Sequence, residues 1–102
     1  MENEIYNLLN SGWIYCVVRN DYYGKILNQF ETTKVENMVF VKKSEKLYYV
    51  LKNLGVNPDT YDSIVIIIFD KTDTDFKINV YSLGNGKKLK EITQDIINGK
   101  YE

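Results

Sequence analysis

The stretch VIIIFDKTDTDF, Val65 to Phe76, decides how this chain is read. Four β-branched residues and a phenylalanine run without a break into Asp70-Lys71-Thr72-Asp73-Thr74-Asp75. An apolar run of that length is a strand buried on both faces. The next segment fixes the topology. Phe76, Ile78 and Val80 alternate with Lys77 and Asn79, the period of a half-buried strand. The polar residues 70–75 then read as the tip of an antiparallel hairpin, because Asp and Thr bond their own backbone in turns.

On the N-terminal side of this hairpin, Met38–Lys42 (MVFVK) reads as a short strand and Trp13–Arg19 (WIYCVVR) as an interior one. Ser44 is a natural N-cap for a helix whose apolar stripe is Leu47, Val50, Leu51 and Leu54, stopped at Gly55. Asn57-Pro58-Asp59 forbids its continuation. Met1, Ile5, Leu8 and Leu9 predict a helix over 2–10 that Gly12 closes. Residues 22–35 are ambiguous. Tyr23, Ile26, Leu27 and Phe30 fit a helical face, Gly24 weakens it, and Tyr22, Ile26 and Phe30 also fit one face of a strand; helix is preferred. After the turn at Gly84-Asn85-Gly86 the chain is ambiguous again. Lys87 to Ile92 fits the returning strand of a hairpin, and Leu89, Ile92, Ile96 and Ile97 make a helical stripe closed by Gly99. The C-terminal helix is preferred, although Lys87-Lys88 opposes its dipole. The expectation is one small α+β domain over 1–102, with about four mainly antiparallel strands packed against about three helices.

The 102 residues are 44% hydrophobic and 26% charged, the balance of a folded globular chain. There is no alanine, one arginine (Arg19), and an abundance of Asn, Lys, Ile and Tyr, whose codons are AT-rich. Net charge is −1, so no global basic field attracts nucleic acid. The charge is segregated: residues 32–58 hold five Lys against two Glu, and residues 59–76 hold five Asp against one Lys. Cys16 is the only cysteine and lies in an apolar run, the place of a buried small hydrophobe. The chain has no His, which removes His-based triads and the commonest zinc ligand. Met-Glu-Asn-Glu lacks the basic start of a signal peptide, and no apolar run reaches a membrane span, so a cytoplasmic location is expected.

Asp70-Lys71-Thr72-Asp73-Thr74 resembles the Asp-Lys-Thr-Gly-Thr loop of P-type ATPases and, more loosely, the Asp-x-Asp-x-Thr loop of haloacid dehalogenase-like phosphatases. By that resemblance Asp70 would be a phosphoryl-accepting nucleophile working with a divalent cation. Asp73 stands where the family has glycine, and the next segment alternates like a hairpin partner rather than opening a crossover helix. Asp70, Asp73 and Asp75 are spaced three and then two apart, with no following Gly and Glu, unlike an EF-hand loop. The sequence therefore names no catalytic residue, no metal ligand set and no cofactor.

Nine Tyr are too many to bury completely. Exposed Tyr among carboxylates is the composition of a protein-binding surface. The leading expectation is a non-catalytic binding protein of the inhibitor, immunity or anti-defence type, from a virus, phage or other mobile element. It would engage a protein target through an acidic, Tyr-rich face of Asp59, Tyr61, Asp62, Asp70, Asp73 and Asp75. The alternative is a small nucleic-acid-binding module in which Lys42, Lys43 and Lys46 hold phosphates beside Tyr48 and Tyr49. A phosphoryl-transfer site at Asp70 comes third. No membrane partner is expected, and a homodimer is compatible with the sequence.

Overall fold

The computed structural model describes residues 1–102. In chain order the elements are α1 (Glu2–Asn10), β1 (Trp13–Val18), α2 (Asp21–Leu27), β2 (Thr32–Val35), β3 (Met38–Lys42), α3 (Glu45–Asn53), β4 (Ile64–Lys71), β5 (Phe76–Ser82) and α4 (Leu89–Ile97). Short 3-10 turns at Pro58–Ser63 and Leu83–Asn85 flank the β4–β5 hairpin. The strands form one mixed sheet in the order β2-β3-β1-β4-β5. The β1–β4 pairing is parallel, and β2–β3, β1–β3 and β4–β5 are antiparallel.

This is an α+β domain with five strands and four α-helices, against the four and three expected. The difference arises mainly in residues 22–35, where the sequence favours one helix. Asn20 caps α2 by accepting a hydrogen bond from the Tyr23 N–H at 3.0 Å, and the helix ends at Leu27. Thr32–Val35 then pairs with Val41–Met38 as an edge strand. Two β-branched threonines suit that strand, which burial alone could not reveal because only Val35 of its four residues is buried.

β1 and β4 are buried on both faces, which is why their sequences lack polar alternation. Along β1, Tyr15 packs toward α1 and α4, whereas Ile14 and Cys16 pack toward α2 and α3. β4 alternates in the same way from Ile66 to Phe69. A register shift between Ile64 and Ile66 places Val65 and Ile66 together on the α1–α4 face. One core then joins Ile5 and Leu9 of α1, Ile92 and Ile96 of α4, and Phe40. The other joins Tyr23 and Leu27 of α2 with Leu47 and Leu51 of α3 around Ile67 and Phe69. Cys16 is buried as expected, and burial pushes its thiol up to about 12, so it stays protonated and inert.

The helix ends follow the sequence. The Ser44 side chain accepts from the Leu47 N–H at 3.1 Å and starts α3. Gly55, at φ +96°, takes the left-handed conformation just past its end. Lys87 does not oppose the α4 dipole, because its ammonium folds back onto Asp95 at 2.7 Å. β4 runs two residues beyond Phe69, so Asp70 and Lys71 are strand residues and the hairpin loop is only Thr72–Asp75.

Candidate functional site

The hairpin loop is closed on itself. Thr72 donates from both its N–H and its hydroxyl to the Asp75 carbonyl, at 2.7 and 2.9 Å. The Thr72 hydroxyl oxygen also accepts from the Asp75 N–H at 2.9 Å. The Asp75 carboxylate takes the Phe76 N–H at 2.8 Å. Asp70 accepts from the Lys71 N–H at 2.9 Å and from the Arg19 guanidinium at 3.2 Å. Those partners, the Lys71 N–H foremost, hold its carboxyl below the usual carboxylate range. A carboxylate so engaged is a poor nucleophile, and a β-strand follows it in place of a helix N-terminus. No cluster of three carboxylates converges to hold a metal ion anywhere in the chain.

The acidic residues fall into two groups. Asp59, Tyr61 and Asp62 lie in the 3-10 turn that enters β4, and Asp70, Asp73 and Asp75 lie where β4 leaves for β5. At roughly 3.3 Å per strand residue, the length of β4 puts about 20 Å between them. They are not one contiguous face. Tyr61 has an additional role: its hydroxyl accepts from the Ser44 N–H at 2.9 Å and donates to the Ser44 carbonyl at 2.7 Å. It clasps the start of α3. Burial raises its pKa, and Asp62 adds to that.

The lysines of the alternative site are each engaged separately. Lys42 lies 6.0 Å from the Trp13 ring centroid and 4.0 Å from the Glu31 carboxylate. Lys43 donates to the Asp62 carbonyl at 2.7 Å, and its half-burial lowers its pKa. Lys46 stands 5.5 Å over Phe30. Tyr48 packs edge-on against both Tyr49 and Tyr61, at 5.3 and 5.2 Å. Tyr49 is exposed. These lysines sit on different rings and carbonyls and do not line a common phosphate track beside the tyrosines.

A groove of about 370 Å³ connects the two acidic ends. Its floor is one face of β5, formed by Phe76, Ile78 and Val80. Its far wall is the end of α3 and the following turn, Leu54 to Asn57, with Thr60. Tyr23 closes the hairpin end and Ser82 and Asn85 the other. The groove exists because β5 is the outermost strand and α2 and α3 cover its face only in part, with Ile78 and Val80 packed against their core. Phe76 stays 46% exposed, against the Tyr22 and Tyr23 rings at 5.1 and 5.7 Å and beneath Lys71 at 5.8 Å. Tyr22 is itself exposed. Exposed Asp75 precedes the lining residue Phe76 and lies near enough to Tyr23 that, after burial and Tyr22, it helps raise that residue's pKa. Exposed Asp59 lies in the chain between the lining residues Asn57 and Thr60.

The acidic segments are visible in the sequence, and the groove along β5 is not. The alternation of Phe76, Ile78 and Val80 predicts a half-buried strand, but nothing local says that the helices cover it only in part. The available signal was a strand with an apolar face lying between two turns, Asp70–Asp75 and Gly84-Asn85-Gly86, with too few helices to roof every strand. No helix of the chain is long and apolar enough to cross a membrane. Comparison with family models, curated proteins and solved structures finds no match to the chain.

Proposed function

We propose that this chain is a non-catalytic binding protein that holds a Lys- or Arg-bearing segment of a protein target in the β5 groove. The observation that carries the reading is a groove floored by exposed Phe76 and half-buried Ile78 and Val80, with exposed carboxylates next to its lining residues in the chain. An apolar floor with aromatic anchors supplies affinity, and the charged rim supplies orientation and partner choice. Exposed Asp75 and Asp59 lie beside its lining residues in the chain, so a basic segment is favoured over an acidic one. The inhibitor or immunity type fits best, since blocking a target needs a surface and no reactive group. The AT-rich residue usage fits a virus, phage or other mobile element as the source.

The test is affinity capture from nuclease-treated extract of the native host, with wild type and two charge-reversed variants, Asp73→Lys/Asp75→Lys and Asp59→Lys/Asp62→Lys. One stoichiometric protein should be held by wild type and lost from either variant. Equal capture by all three rejects the reading, and material lost to nuclease points to the nucleic-acid alternative.

A further inference from the structure

The free edge of β5 makes a separate prediction, independent of what the groove holds. An unpaired strand edge recruits another strand unless it is short, charged, bulged, interrupted by proline or covered. The opposite edge, β2, meets that need with only four residues and an exposed Lys34. β5 does not. It has seven residues, FKINVYS, with no proline and Lys77 as its only charge. Exposed apolar side chains border it on both faces: Phe76 on the groove side, and Tyr81 with nearby Leu83 at its other end.

We propose that β5 pairs antiparallel with β5 of a second copy about a twofold axis through Asn79, joining the two sheets into one of ten strands. The strand is close to symmetric about that residue. Ile78 would lie opposite Val80 of the second copy, Lys77 opposite Tyr81, and Phe76 opposite Ser82. On the groove face Ile78 thus meets Val80, with Phe76 beside the small Ser82 at each end, and on the other face the one cation meets an aromatic ring. This register alone pairs all seven residues. Shifting the axis to Ile78 or Val80 leaves the ends of the strand unpaired, and shifting it to Lys77 sets two ammonium groups face to face. Such an interface is isologous and closed, as most homodimers are. Because the axis stands perpendicular to the sheet, both grooves fall on the same side, and two acid-rimmed sites lie next to each other.

Sedimentation velocity of the full chain tests this. Wild type should sediment with twice the 12.0 kDa chain mass. Asn79→Lys and Asn79→Glu each place like charges at the axis and should each sediment as a monomer, with dissociation constants raised by more than about tenfold. Asn79 is partly exposed, so circular dichroism should show both variants folded. Mixed in equal amounts, they should regain the dimer through a Lys–Glu pair. Three results overturn the proposal: wild type that stays monomeric up to about 100 µM, where even weak interfaces populate; single variants that remain dimeric; or folded variants that fail to pair when mixed.

Discussion

Tyr61 has a structural role that its neighbours in sequence do not announce. Between Asp59 and Asp62 it looks like a surface anchor, yet its hydroxyl bonds both the N–H and the carbonyl of Ser44, 17 positions earlier. No local pattern encodes that partner. Ser44 itself was legible, because a cap acts on the residues immediately after it. Tyr61→Phe should cost about 1 kcal/mol and lower the melting temperature by about 4–8 °C, as read by thermal unfolding, while capture of a target by the folded protein is unchanged. Glu36, in the two-residue turn between β2 and β3, has φ 56°, a left-handed conformation that burdens a residue with a Cβ. Glu36→Gly should stabilise by about 0.5–1 kcal/mol in denaturant titration. Asp95 gathers Lys87 at 2.7 Å, Lys100 at 3.5 Å and the Tyr101 hydroxyl at 3.4 Å, and the Lys87 hydrogen bond leads in depressing its pKa. In the unfolded chain this carboxyl titrates near ~3.9. Its contribution is therefore complete above that pH and is lost as pH falls through the lower folded value, where the unfolded chain binds the extra proton. Unfolding midpoints measured through this acid range should drop less steeply for Asp95→Asn than for wild type.

Among the elements, period and punctuation were sufficient wherever one segment formed one element. Trp13–Val18, Met38–Lys42 and the Ser44-capped helix match their sequence patterns closely. Residues 22–35 failed because two short elements share a window in which 3.6-residue and two-residue periods overlap. A helix of seven residues and a strand of four each contribute too few turns of pattern to separate them. The C-terminal helix held despite Lys87-Lys88, since a side-chain contact eight residues on removed the objection. α3 is the element on which the groove wall depends. Leu51 is 1% exposed and packs in the core shared with α2. Leu51→Ala should cost about 2–5 kcal/mol, measured by equilibrium unfolding. The same experiment on exposed Lys52 should show less than about 0.5 kcal/mol.

For the molecule as a whole, strand order is what escapes sequence. The parallel contact between β1 and β4 carries the two most apolar strands to the middle and pushes β5 to the edge. That ordering turns an ordinary alternating strand into an open floor, and it places the two acidic segments at opposite ends of it. The acidic, Tyr-rich composition was legible, whereas the groove along β5 depends on contacts between distant segments. Occupation of the β5 groove by a protein target is the proposal from which the functional reading stands or falls. A photo-crosslinking amino acid at position 54, on the groove wall, and another at position 34, on the opposite sheet edge, test it in the native host. Position 54 should capture one protein other than the chain itself, resistant to nuclease, and position 34 should not. The same products from both positions, or none from position 54, would contradict it.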